Sequence, residues 1–171
     1  MKIALCGIAG SGKDYLARSL HEKDYHIISF GAKLKQICAD IFPYLIENPI
    51  ESDKIVKEYG KSHREIWIKI AKSIREVDNM AFVNFLLNSP LSHLENVVIT
   101  DLRDEIEFNA LILQGFIPIF IKPELSAMKP ANSYDDRISI IEKKIKHVFI
   151  NDFKGIQTIS LFLKFIEKIS K

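Results

Sequence analysis

An α/β fold, with a mostly parallel central sheet and helices on both of its faces, is predicted by three features of this 171-residue chain. Short apolar runs alternate with amphipathic segments from end to end, the pattern of a sheet built through helical crossovers. The first run, Ile3-Ala4-Leu5-Cys6, leads straight into a glycine-rich turn, Gly7-Ile8-Ala9-Gly10-Ser11-Gly12-Lys13-Asp14. A helical pattern then opens, with Tyr15 or Leu16 followed by Ser19 and Leu20.

Strand, glycine loop, lysine and helix, in that order, make a phosphate-binding loop, the Walker A arrangement of the three-layer P-loop NTPase fold. Glycines at 7, 10 and 12 allow positive φ and leave room for a phosphate against the main chain. The N–H groups of such a loop point inward as an anion nest, and the helix behind it adds the positive end of its dipole. Nucleotide contacts are expected from Gly7, Ala9, Gly10, Ser11, Gly12, Lys13, Asp14 and Tyr15, with Lys13 as a mobile point charge for the β- and γ-phosphates. The position after the lysine commonly holds Ser or Thr, whose hydroxyl ligates Mg²⁺; Asp14 stands there instead. A carboxylate is a hard oxygen ligand and suits a helix N-terminus, so Asp14 is either a metal ligand or a plain helix-start acid.

Length fits a single domain over residues 1–171, large enough for a substantial core. A formal net charge of +2 without a dense basic run argues against a nucleic-acid binder. The two cysteines, Cys6 in the first strand and Cys38 on a helix face, read as small buried hydrophobes of a reduced compartment. No run approaches the ~18 apolar residues of a membrane span, and no signal peptide is recognisable, so a cytoplasmic protein is expected.

The remaining elements follow in order. Tyr25–Phe30 reads as a strand, and Lys33–Phe42 as a helix with Leu34, Ile37, Cys38 and Ile41 inward. Ser52–Glu58 is expected to be a short polar helix stopped by Gly60. Ser62-His63-Arg64-Glu65 is a capping-box start for a helix with Ile66, Ile70, Ile74 and Val77 on one face and Arg64, Ile68, Ala71 and Arg75 on the adjacent stripe. Met80–Leu87 continues as a helix ending by Pro90, and Asn96–Asp101 is a strand closed by an acid. Glu105–Leu113 is a helix stopped at Gln114-Gly115. Phe116–Ile121 is strand-like, with Pro118 favouring an edge or a bulge. Pro123–Ser133 reads as a loop, Asp135–Lys146 as a helix, His147–Ile150 as a strand and Ile156–Ile169 as a closing amphipathic helix. Ligands of such sheets gather at the carboxyl ends of the strands, where Gly7, Gly31 and Asp101 would lie.

Several islands carry a family resemblance: Gly12-Lys13-Asp14; Ser29-Phe30 into Ala32-Lys33-Leu34-Lys35; Arg64-Glu65-Ile66-Trp67 with Arg75; Val98-Ile99-Thr100-Asp101-Leu102-Arg103; and Ile150-Asn151-Asp152. In this order, across almost the whole chain, they resemble the phage deoxynucleoside monophosphate kinases, within the nucleoside-monophosphate-kinase branch of P-loop proteins. The resemblance implies ATP- and Mg²⁺-dependent phosphoryl transfer to a deoxynucleoside monophosphate, acceptor-site helices over about 31–90 and a lid over about 122–137. Gly31 and Ala32 stand where that family has an acid and a proline, and no Ser-Glu pair marks the region Ser133–Ser139. Animal-type phosphomevalonate kinases look similar too, so the acceptor stays open. A nucleotide-binding regulatory protein without turnover is a further alternative, and a homodimer is open.

Transfer onto an existing phosphate needs little acid–base work, because the attacking oxygen is already ionised, so positioning and charge neutralisation dominate. Lys13, Arg103 and Arg64 are the candidate catalytic cations. Lys33, Arg64, Trp67, Arg75 and Arg137 are candidates for binding the acceptor, and Asp101 joins Asp14 as a candidate metal acid. Arg64 and Arg75 lie about 16 Å apart along their helix at 1.5 Å per residue, a spacing that suits only an extended donor–acceptor pair. A guanine-reading Asn-Lys-x-Asp is absent, and Asp152-Phe153-Lys154-Gly155 comes too late for a GTPase switch and reads as a strand-to-helix turn.

Overall fold

Strand β1 (Lys2–Cys6) is shielded from solvent on both faces from Ile3 to Cys6, the state that an unalternating apolar run requires of an inner strand. The computed structural model describes residues 1–47, 49, 51–124 and 133–170. Half of the lid expected over 122–137, residues 125–132, lies outside them. After β1 come α1 (Lys13–His21), β2 (His26–Ile28) and α2 (Phe30–Ile41). Two short strands, β3 (Ile55–Val56) and β4 (Lys61–Ser62), precede α3 (His63–Val77) and α4 (Ala81–Leu87). A 3₁₀ turn (Pro90–His93) leads to β5 (Val97–Leu102), α5 (Glu105–Leu113) and β6 (Ile117–Pro123). The chain closes with α6 (Ser133–Glu142), β7 (His147–Asn151) and α7 (Ile156–Ile169).

Five strands form one parallel sheet in the order β2-β5-β1-β6-β7, with helices on both faces. Alternation along the strands sorts the core. Ile3 and Leu5 of β1 and Ile119 and Ile121 of β6 meet Leu16, Ala17 and Leu20 of α1 and Phe162 and Ile166 of α7. Phe149 of β7 lies edge-on to Phe162, with ring centroids 5.0 Å apart. Elsewhere α5 packs against β6 and α6. The chain divides into two compact units, Met1–Ser29 with Leu87–Lys171, which holds the sheet, and Phe30–Leu86, in which α2 packs on α3.

Four expectations need correction. The polar helix at Ser52–Glu58 is instead half of an antiparallel hairpin, Ile55 opposite Ser62 and Val56 opposite Lys61. β-branched Ile55-Val56 favours the extended state, and Gly60 at φ 60° lets Tyr59 and Gly60 donate back to the Val56 carbonyl at 3.0 Å. On α3 the capping box forms as expected, but Val77 is 91% exposed and the buried residues are Ile66 and Ala71, so the inner line runs between the two stripes. Pro118 lies on an inner strand rather than an edge; it is opposite Ala4, and β7 pairs with β6 only from Ile119 onward. Ile41, expected inward, is also exposed at the end of α2.

No helix among the described residues is long and apolar enough to cross a membrane. Both cysteines are free and buried, and burial pushes the Cys6 thiol up to about 12 and that of Cys38 upward. Both thiols should therefore resist iodoacetamide at pH 8 in the folded protein and react only in denaturant, as mass spectrometry would read. Phe162→Ala should cost about 3–5 kcal/mol, because it empties a fully buried site between α1, α7 and the sheet. A urea titration would show this as a lower midpoint.

Candidate functional site

The chain leaves β1 at Gly7 with φ 150°, bends at Gly10 with φ 77° and enters α1 through Gly12 with φ 85°. Two of these glycines are demanded by their surroundings as well as by φ. A Cβ on Gly7 would stand 2.6 Å from the Ile121 carbonyl oxygen, and one on Gly12 would collide with Nδ2 of Asn151. Between them the Ser11 N–H donates to the Ile8 carbonyl at 3.2 Å, closing a tight turn. Gly12 is the N-cap of α1 and brings no side chain of its own to the first-turn N–H groups. The positive end of the helix therefore faces the loop, the arrangement that receives anions.

Lys13 is 5% exposed and folds into this turn. Its ammonium donates to the carbonyls of Gly7 at 2.7 Å and Ile8 at 2.8 Å and to the Ser11 hydroxyl at 3.2 Å. Ser11 is itself wholly buried. Asp14, next along α1, is exposed in the first turn, and so is Tyr15, which leaves Leu16 to supply the inward contact. Ala9 is half-buried on the turn.

The neighbouring strand end carries the next candidates. Ala4 pairs with Ile99 and Cys6 with Leu102, so β5 runs one residue long at Thr100-Asp101. Such an irregularity re-aims a side chain, and it leaves Asp101 half-exposed at the carboxyl end of the strand. Arg103 follows; its main-chain N–H donates to Glu107 at 3.0 Å, next to the Asp104–Glu107 capping box of α5. Against the dominant effect of burial, the charges of Lys13 and of Arg103 both favour the Cys6 thiolate. Lys13, Asp14, Asp101 and Arg103 thus belong to one unit and one end of its sheet. Arg137, on α6, makes an ion pair with Asp104 at 2.7 Å.

The other candidates lie in the Phe30–Leu86 unit. Arg64 pairs with Asp53 (Nε–Oδ1 2.7 Å) and reaches the Ser52 hydroxyl through Nη2 at 3.4 Å. Arg75, at the far end of α3, lies over the Phe82 ring at 4.8 Å, so the two arginines do not converge. Lys33 donates to Gln36 at 3.0 Å and lies 5.5 Å from the Phe85 ring centre. One face of Trp67 is covered by the Lys35 ammonium at 5.1 Å, and its Nε1 is buried without a partner.

No role was expected for Asn151, yet its side chain bonds the Ser11 carbonyl. The signal for it was its place in the Ile150-Asn151-Asp152 island at the end of the last strand. Among the described residues no group of three or more His, Cys, Asp or Glu side chains could hold a metal ion. Two acids, Asp14 and Asp101, are a smaller set than that, and they suit a cation that takes most of its oxygens from phosphate and water.

No family model matches the chain, and no curated protein matches it. Solved structures do. The chain is similar to shikimate kinase from Aquifex aeolicus, with a TM-score of 0.61 and 14% identity over 99% of this chain and 98% of that one. Shikimate kinase from Bacteroides thetaiotaomicron gives 0.54 and 14% over 99% and 98%. TT1252 from Thermus thermophilus gives 0.58 and 16% over 100% and 98%. At such identities the shared property is the fold, and this chain has the three-layer fold of those shikimate kinase structures.

Proposed function

We propose that this chain is an ATP- and Mg²⁺-dependent kinase acting on a small phosphorylated acceptor, with a deoxynucleoside monophosphate favoured by the order of its sequence islands. The observation that carries the reading is Lys13, an almost buried ammonium held only 2.7–2.8 Å from loop carbonyls at the N-terminus of a helix. Neutral carbonyls are weaker partners for an ammonium than a phosphate oxygen, so exchange of one for the other favours a bound triphosphate. The loop from Gly7 to Asp14 would bind the β- and γ-phosphates through main-chain N–H groups. Lys13 and Arg103, on the same unit, would neutralise charge that develops on the transferred group.

Asp14 and Asp101 would hold Mg²⁺, directly or through water, and the ion would supply further charge neutralisation on the phosphates. On the acceptor side Arg64, Arg75, Lys33, Trp67 and Arg137 are the proposed contacts. Arg64 would exchange Asp53 for the acceptor phosphate. A phosphate acceptor brings its own ionised oxygen, so no general base is asked of the chain. The supply of nucleotides for such a reaction makes the cytoplasm its proposed place of work. A second reading, a small non-nucleotide acceptor, is favoured by the fold shared with shikimate kinases.

An ADP-release panel with ATP as donor and all dNMPs, NMPs, phosphomevalonate and shikimate as acceptors separates these readings. A deoxynucleoside monophosphate should give the highest kcat/KM, and a flat panel would leave a nucleotide-binding regulator. Lys13→Ala should lower kcat by about 10²–10³, and near-normal turnover in that variant would remove the donor assignment. Asp14→Asn should raise the Mg²⁺ concentration needed for half-maximal rate several-fold; an unchanged Mg²⁺ titration would leave Asp14 as a helix-start acid.

A further inference from the structure

We propose that Asn151 is a positioning residue, which holds the phosphate loop in its anion-binding shape by tying the Ser11–Gly12 peptide to the turn after β7. The proposal rests on the loop's being a phosphate site, as argued above. Asn151 is 2% exposed, and a side-chain amide that deep must find partners for both of its ends. Nδ2 donates to the Ser11 carbonyl at 2.9 Å, and Oδ1 accepts the Phe153 N–H at 3.0 Å. One partner is purely an acceptor and the other purely a donor, so the amide orientation is fixed and no other side chain of this size meets both. A carboxylate would turn lone pairs on the Ser11 carbonyl; an alkyl chain would leave both main-chain groups unpaired.

The amide stands on a rigid base. Its residue pairs with Pro123 in the β6–β7 ladder, and its carbonyl accepts the Glu124 N–H at 2.9 Å. The same two strands hold the loop at both ends, because the Ile121 carbonyl lies under Gly7 while Nδ2 of Asn151 fills the space a Cβ on Gly12 would need. In a trans peptide the C=O and N–H point in opposite directions. Holding the Ser11 carbonyl towards Asn151 therefore turns the Gly12 N–H to the opposite side, and a carbonyl kept away is what an anion nest needs. Phe153 sits at φ 57°, in the left-handed region, where the bond from its N–H to the same amide holds it. One side chain thus sets two loops at once.

The test uses the full chain and a probe that reads the loop alone, inorganic tripolyphosphate with Mg²⁺, which has neither base nor sugar. Thr158→Ala serves as control, since Thr158, in the first turn of α7, is also buried but donates to Asp152 and accepts the Lys154 N–H instead of bonding the loop. By calorimetry, Asn151→Ala should weaken tripolyphosphate about tenfold or more, and Asn151→Asp further, while Thr158→Ala stays within twofold of the native chain. Gly12→Ala should lose less affinity in the Asn151→Ala background than alone, because part of its cost is the collision with Nδ2. Equal losses for Asn151→Ala and Thr158→Ala, or strictly additive losses in the double variant, would overturn the proposal. Amide exchange over residues 7–14 provides a readout that needs no ligand. It should rise in Asn151→Ala and not in Thr158→Ala, and unchanged exchange would overturn the proposal as well. Should the native chain ignore both tripolyphosphate and ATP, the kinase reading fails, and the exchange result still decides whether Asn151 orders the loop.

Discussion

A buried ammonium has to be compensated where it stands, and the bonds from Lys13 to the Gly7 and Ile8 carbonyls, at 2.7 and 2.8 Å, impose their shape on everything near them. Taking such a charge out of water costs several kcal/mol unless oxygen atoms surround it. Two of the oxygens around Lys13 are main-chain groups of a turn whose glycines adopt φ values of 150°, 77° and 85°. The turn in turn needs a strand that delivers Gly7 beside the Ile121 carbonyl and a helix that starts at once from Gly12. Position on the sheet follows. β1 lies between β5 and β6, so its carboxyl end is a point where the strand order reverses, the usual crevice for ligands in parallel sheets.

Much of this was legible because local and global preferences agree. The closing helix Ile156–Ile169 and the helix Glu105–Leu113 have the bounds read from periodicity and from the Gly115 stop. The capping box at Ser62–Glu65 sets the start of α3 at its expected residue. Less could be read where a short segment obeys a partner. Ile55-Val56 extends because Lys61-Ser62 lies opposite, a pairing that no window of helix propensity registers. Pro118 escapes the edge because β7 reaches β6 one residue later, which depends on where β7 lies and on nothing within Phe116–Ile121.

The site divides in the same way. Gly7, Gly12 and Lys13 announce themselves by type and spacing, since few backbones need that pattern. Asn151 does not, because its role arises from a contact across 140 residues of sequence, and a single asparagine at a strand end has many ordinary explanations. Arg64 and Arg137 stand out in the sequence only as guanidinium groups; that each already has a carboxylate partner, Asp53 and Asp104, comes from the structure alone.

Those partners bear on how a phosphate would compete for each cation. Lys13 is almost buried, and the Gly7 and Ile8 carbonyls and the Ser11 hydroxyl that it bonds are neutral, so a phosphate taking the place of any of these would replace a dipole with a charge in a region poorly screened by water. Arg64 faces an ionised carboxylate, and its side chain is 40% exposed, so a phosphate would exchange one anion for another under strong solvent screening. On the proposed reading the first exchange yields the larger gain per contact, and it would occur on the donor side. The acceptor side would then owe its selectivity less to charge than to shape, supplied by the apolar surroundings of α3: Trp67 under Lys35, and Phe82 under Arg75. On that reading the proposed triphosphate contacts lie in the unit that carries the sheet, whereas Arg64, Arg75, Lys33 and Trp67, four of the five proposed acceptor contacts, lie in the Phe30–Leu86 unit.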